Sequence, residues 1–468
     1  MPYWNTIKNY IKTTLLVAVF PAPILAQTTG TSPYSRYALG DFSSNSAVFF
    51  QGMAGISTPF SFNSQINYLN PAGNSSFRTH TAIFDASLDG KMVEMESSEG
   101  MTRESSLGLS GLALGLPVAQ NWGIVLGLRP YTNVGYDVFS EQQVDGAGRT
   151  RFIYEGSGGL NNLFLSTGYG LIQKGDSLRL SVGAQASFLF GAINYQRSVE
   201  FSNTNYSNLR VKNSLFVNDV IYRAGTQFEA AYRKNTVQVD DKGNSKTVRK
   251  EFFRYGFGAS YDLGGNVRAR RDEFAYTYTK FGFRDIINDT IAALFDEKGT
   301  IQMPWKLTLG GFVSFNKDFT LSAQYDLENW EGYQENFSTS GIKANDLTSL
   351  SAIRLGFMYR SFKKLDAAQR GNKVSSLSAT TYMIGVNRTN LPLNFNGTPL
   401  ISDAVSFGLS IPLTPSRTFS SINFGMELGR RGRVSDSPIS ERFATVRLGI
   451  VITPDIKYER WFFKYKYD

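Results

Sequence analysis

The twelve residues Tyr222-Arg-Ala-Gly-Thr-Gln-Phe-Glu-Ala-Ala-Tyr-Arg233 put Tyr222, Ala224, Phe228, Ala230 and Tyr232 on one parity and Arg223, Gln227, Glu229 and Arg233 on the other. Side chains that alternate with a period of two stand on opposite faces of a β-strand. The device recurs along the chain. Phe319, Leu321, Ala323, Tyr325 and Leu327 oppose Thr320, Ser322, Gln324, Asp326 and Glu328; Ala444, Val446, Leu448, Ile450 and Ile452 oppose Thr445 and Arg447; Ile353, Leu355, Phe357 and Tyr359 oppose Arg354 and Arg360. From residue 79 to the end, about sixteen segments of roughly ten residues read this way, separated by polar turns.

Alternation alone suits a soluble β-sandwich as well as a membrane barrel. Three features decide for the barrel. The strands are long, their apolar faces end in aromatics such as Tyr131, Tyr232, Phe315, Trp330 and Tyr359 where an interfacial girdle would lie, and the chain opens with an export signal. That signal has Lys8 and Lys12 ahead of an apolar stretch from Leu15 to Ala26, with a cut expected after Ala26. Pro21 and Pro23 leave it too short to span a bilayer. The expected fold class is therefore all-β, a transmembrane antiparallel β-barrel in the outer membrane, with 1–26 as signal peptide, 27–78 as a separate N-terminal segment and 79–468 as barrel.

Composition agrees. Of 468 residues 44 are glycine, 14% are aromatic and 19% are charged, which describes strands and turns. The mean hydropathy of −0.21 is that of a soluble chain, as it must be when each apolar face is averaged with a polar one. There is no cysteine, so thiolate metal sites and disulfides are excluded. The net charge of +9 becomes +9 − 2 = +7 without Lys8 and Lys12. These charges are spread along strands without a basic run, so no nucleic-acid partner is expected.

A charge facing lipid at mid-bilayer costs about 2–4 kcal/mol. Arg129, Arg179, Arg223, Glu229, Arg233, Glu328, Arg354 and Arg447 are accordingly expected to face the lumen, where pairing across neighbouring strands is their simplest role. The longest loops are expected at Lys234 to Arg249 and Glu331 to Thr348.

Residues 27–78 do not alternate. They hold nine aromatics between Tyr34 and Phe77, costly to leave in water, and so read as a plug inside the barrel. Gln51-Gly-Met-Ala-Gly55 and Asn70-Pro-Ala-Gly73 in this segment, with the ending Glu459-Arg-Trp-Phe-Phe-Lys-Tyr-Lys-Tyr-Asp468, resemble the FadL/TodX-like outer-membrane transport family. Ser32-Pro-Tyr-Ser-Arg-Tyr37 and Gly425-Met-Glu-Leu-Gly-Arg-Arg-Gly432 look like the branch found in the Bacteroidota. The order of segments is similar along the whole mature chain. The resemblance implies a fourteen-stranded barrel, two of the sixteen segments being loops, closed by an N-terminal hatch. Gly52, Met53, Gly55, Asn70, Pro71 and Ala72 would shape that gate. It implies passive passage of long-chain fatty acids or other hydrophobic small molecules, which leave sideways through the wall.

The branch also contains accessory subunits of secretion and assembly machines, so a plugged barrel docked to other outer-membrane or surface proteins is the alternative. An enzyme is not expected. The one histidine, His80, opens the first expected strand and suits an interfacial or lumen position, and no Gly-x-Ser-x-Gly segment exists. Asp240-Asp-Lys-Gly-Asn244 lacks the spaced ligands of a calcium loop and reads as a hairpin tip. No metal or cofactor is expected; the expected partners are outer-membrane lipid and a hydrophobic ligand.

Overall fold

The computed structural model describes residues 32–454, apart from 45, 98–99, 176, 204, 240–244, 283, 339–340, 344–346, 362–374, 396, 414–418 and 436. The stretch read as an export signal and the ending at 459–468 lie outside the described residues.

A short strand, β1 (Asp41–Phe42), belongs to the N-terminal segment. The wall then begins with β2 (Ile83–Ser97), β3 (Gly100–Ala119), β4 (Trp122–Val144), β5 (Gly148–Lys174), β6 (Leu178–Phe201), β7 (Asn208–Val239) and β8 (Ser245–Asp262). An outer hairpin, β9 (Gly265–Phe281) and β10 (Arg284–Met303), interrupts it. It resumes with β11 (Lys306–Phe315) and β12 (Phe319–Glu328), passes the short β13 (Gln334–Asn336) and β14 (Gly341–Lys343), and ends with β15 (Leu350–Arg360), β16 (Thr381–Phe395), β17 (Thr398–Pro412), β18 (Ser421–Arg431) and β19 (Ser440–Ile452). β8 pairs directly with β11, β12 with β15, and β19 with β2, so fourteen antiparallel strands close into a barrel. Fourteen is the number the resemblance implies, two fewer than alternation alone suggests. β9 alternates as a wall strand does, but it pairs with the upper part of β7 and lengthens the wall there.

The alternation is inverted relative to a soluble protein. On β12, Leu321 is 55% exposed while Gln324 and Asp326 are 3% and 1% exposed. Lipid takes the place of water around the apolar face, and the polar face lines the lumen. β3–β4, β5–β6 and β11–β12 are joined by turns of two or three residues at one end. The other end has turns as short, at β2–β3, β4–β5 and β16–β17, but it also carries the β9–β10 hairpin and the 329–349 connection, the two longest links between wall strands, and is taken as the outward end. The segment read as a loop from Lys234 to Arg249 is mostly ladder, since β7 and β8 pair there beyond the periplasmic end. His80 stands exposed in a left-handed turn (φ 64°) ahead of β2 and is not itself a strand residue.

Residues 46–78 cross the lumen. Phe49, Phe50, Met53, Ile56, Phe60 and Ile66 are buried there together with Phe164, Phe312, Met358 and Met383 of the wall. Phe60 stacks on Phe62 at 5.5 Å and on Phe312 at 4.8 Å. At about 2 kcal/mol for each large apolar side chain, those six residues contribute on the order of 10 kcal/mol as an upper bound. That is enough to hold the segment as a fixed element of the fold.

Candidate functional site

The wall meets this segment through glycine. Gly168, Gly183, Gly225, Gly258, Gly310, Gly356, Gly385, Gly408, Gly425 and Gly449 each face it from a different strand. Their ladder partners make a near-continuous ring: Gly168 pairs with Gly183, Gly183 with Gly225, Gly258 with Gly310, Gly356 with Gly385 and Gly408 with Gly425. A Cβ on Gly408 would lie 2.6 Å from the Cα of Gly52, one on Gly385 2.5 Å from the N of Ala54, and one on Gly183 2.4 Å from the N of Ala72. Only hydrogen fits between the two backbones, so the seal is made by close approach around the circumference.

Asn70 and its neighbours hold the far side of the ring. The Asn70 side chain accepts from the Ala72 amide at 3.1 Å, which caps the 3-10 turn Pro71–Ser76, and Pro71 needs no donor at that turn's first position. Its amide donates to the Thr58 carbonyl at 2.9 Å and the Thr226 carbonyl at 2.9 Å, tying the segment to β7. Met53 is fully buried between Gly356 and Gly385, and Gly52 sits against Gly408. Gly55 has φ +77°, a conformation a Cβ would strain.

The eight charged residues singled out in the sequence divide by position. Arg129 lies over the Tyr68 ring at 4.5 Å and donates to the Ser44 carbonyl. Arg179 donates to the Ser61 hydroxyl at 2.9 Å, and Arg223 pairs with Asp262 while donating to the Tyr68 carbonyl at 2.8 Å. These three clasp the N-terminal segment. Glu328 pairs with Lys306 at 2.6 Å, Arg354 with Asp326 at 2.8 Å and Arg447 with Glu427 at 2.8 Å. Glu229 pairs with Arg254, and Arg233 stands opposite Glu251 towards the periplasmic end of β7.

Above the seal lies a chamber of about 370 Å³. Lys306, Asp326, Glu328, Arg354, Glu427 and Arg447 line one side of it, joined by Asp89, Lys91, Asp41 and Arg431. Tyr37, Phe42, Leu69, Leu107, Leu391 and Phe443 give the remainder an apolar character. Asp41 bridges segment and wall, 2.9 Å from Arg431 and 3.9 Å from Lys91. Burial raises its carboxyl, but those two cations more than offset that and leave it below the usual carboxylate range. Five cations face five carboxylates, so the wall of the chamber is polar yet balanced.

The chamber reaches a break in the barrel. β3 pairs with β4 only from Leu112↔Leu128 to Ala119↔Trp122. Among the described residues, β3 from Gly100 to Ser110 has no ladder partner on that side. The opposite edge of β4 is covered instead by the N-terminal segment: Phe42 pairs with Thr132, Asp41 with Asn133, and the Ser32 and Ser43 amides donate to Gly135 and Tyr131. Ser106, Gly108 and Ser110 of β3 line the chamber at this break. Sequence reading did not find the glycine ring, Asp41, Lys91 or the break. Glycine recurring on the polar parity of strands, as at Gly225 between Arg223 and Gln227, was the one available signal.

Solved barrels share the architecture. The Pseudomonas putida toluene transporter TodX is 16% identical, covers 89% of this chain and 99% of its own length, and gives a TM-score of 0.54. The Ralstonia pickettii toluene transporter TbuX is 14% identical over 87% of this chain and 98% of its own, with a TM-score of 0.53. A Pseudomonas aeruginosa FadL homologue is 11% identical over 89% and 100%, with a TM-score of 0.51. At such identities the likeness is one of fold, an outer-membrane barrel. No curated protein matches the sequence. The family model described as BamG matches residues 6–468, nearly the whole length. The chain therefore belongs to the BamG family.

Proposed function

We propose that this protein is an outer-membrane conduit for hydrophobic or amphipathic small molecules, with residues 27–78 as its hatch and the β3–β4 break as a lateral exit. The observation that carries this reading is the break itself, with a partly apolar chamber directly behind it. An apolar solute gains nothing from a watery pore. A site with apolar contacts and a side door delivers it to the bilayer without crossing the glycine-sealed floor. The toluene transporters and the FadL homologue that share this architecture fit this reading. Asn70, Pro71, Ala72, Gly52, Met53 and Gly55 act in it as the fixed base of the hatch, while the 32–44 stretch on the β4 edge is the part that yields.

Gly108 gives the test. A Cβ there meets nothing within 4 Å, so Gly108→Trp starts its side chain in open space and should fill the chamber mouth, with barrel abundance checked beside uptake. Uptake of a fluorescent hydrophobic probe by cells relying on this protein should fall to the level of cells lacking it. Unchanged uptake at normal barrel abundance contradicts the conduit.

A second reading is a plugged barrel serving as an accessory subunit of an outer-membrane assembly or secretion complex. BamG family membership is compatible with it, and the near-continuous glycine ring supports it. In that case a partner polypeptide co-purifies, and Gly108→Trp leaves its recovery unchanged.

A further inference from the structure

The outward faces of β16–β19, β2 and β3 end their apolar run on one register row. Across neighbouring strands it reads Arg388, Asp403, Arg430, Arg442, Glu94 and Arg103. Four arginines meet two carboxylates, a surplus of +4 − 2 = +2 on this row. Arg388 lies 3.8 Å from Asp403, and Arg103 takes Glu94 at 2.7 Å. Arg442 has only longer contacts, 3.7 Å to Glu94 and 4.0 Å to Glu96, and is 66% exposed. Arg430 has no ion pair among the described residues; in the ladder it stands between Asp403 on one side and Arg442 on the other. Two like charges opposite each other in a ladder destabilise it unless an anion lies between them.

Below this pair the wall is dented. The outward side chains of Ile353, Leu355, Val386, Val405 and Leu428 line a groove of about 730 Å³ there. The row lies toward the end of the strands that carries the β9–β10 hairpin, the outward end, so the groove opens into the outer leaflet. We propose that this is a binding site for an acyl lipid with a phosphate headgroup. Arg430 and Arg442 hold the phosphate, and an acyl chain lies in the groove. Guanidinium groups suit this because each can present two N–H donors to one phosphate. An apolar groove by itself would select no headgroup; the charge pair at its rim does.

The test uses the intact barrel, delipidated in mild detergent and examined by native mass spectrometry with dioleoyl phosphatidic acid and with the uncharged dioleoylglycerol. The wild-type protein should retain the phosphatidic acid at least about tenfold better. The double substitution Arg430→Gln, Arg442→Gln should abolish that preference while keeping the heat-modifiable migration of a folded barrel. An equal preference in the double variant, or none in the wild type, overturns the proposal. So does retention of inorganic phosphate as strong as that of the lipid, which would leave the groove without a part. An acidic partner polypeptide that occupies the arginines and excludes the lipid also overturns it.

Discussion

Adding one methyl group at Gly225 should loosen the seal without opening the barrel. A Cβ there would lie 2.1 Å from the Asn70 side-chain oxygen and 2.9 Å from Pro71 Cδ. Neither atom can retreat freely. Asn70 caps the turn through Ala72 and is tied to the Thr58 and Thr226 carbonyls, while Pro71 is ring-locked. Overpacking of this kind costs about 1–3 kcal/mol. The strand backbone at Gly225 is not left-handed, and the nearest atoms to the added Cβ all belong to Asn70 and Pro71, so the ladder itself accepts alanine. The cost therefore falls on the N-terminal segment. If local opening governs exchange, amides such as Ala72 and Gly73 should lose roughly 5- to 150-fold in hydrogen-exchange protection in Gly225→Ala. Strand amides of β7 and β8 should keep theirs, and Gly108→Ala, with open space around its Cβ, serves as the unaffected control. Equal protection of the Pro71–Ser76 turn in wild type and Gly225→Ala would refute the idea that close approach to glycine makes the seal.

Asn67 is a second point of failure. It donates to the Ser57 and Phe60 carbonyls at 2.7 and 2.9 Å and accepts from the Leu69 and Asn70 amides at 3.1 and 2.9 Å. Asn67→Ala should cost about 3 kcal/mol or more, since each orphaned buried group costs about 1–3 kcal/mol, and limited proteolysis should then cut within 46–78. Arg223→Gln strands Asp262 and frees the Tyr68 carbonyl; a fall in thermal stability equivalent to about 3–5 kcal/mol is expected by calorimetry. Asp41 sets an acid limit on the upper stretch of the segment. Its carboxyl is held below the ordinary value of about 3.9, so its contribution is complete above that value and is lost only as pH falls through the lower folded value. A nitroxide at Tyr37→Cys in this cysteine-free chain should stay immobile from pH 8 to 5 and loosen only below about pH 4; loosening at pH 6 would contradict the pairing with Arg431 and Lys91.

The fold was legible because alternation is a property of each strand by itself. Arg223, Gln227 and Glu229 on one parity and Tyr222, Phe228 and Tyr232 on the other need no knowledge of neighbours. The features that matter most for function are properties of pairs and rings. Gly183 reads as an ordinary strand glycine until β5 and β7 place Gly168 and Gly225 beside it. A missing ladder between β3 and β4 leaves no mark in either sequence. The Asn70-Pro-Ala motif was legible because cap and proline act locally, whereas Asp41 and Arg431 are 390 positions apart. β10 gave little signal for a different reason: from Arg284 to Thr290 both of its faces are exposed, so selection has no reason to alternate them.

The central claim, a lateral conduit, is tested most directly by what the chamber holds. Native mass spectrometry of the protein extracted gently from its own membrane should show an added mass of a few hundred daltons that Gly108→Trp removes and the Arg430→Gln, Arg442→Gln pair leaves in place. A stoichiometric partner polypeptide with no such small molecule, in wild type and Gly108→Trp alike, would contradict the conduit and make the protein a subunit of that partner's complex.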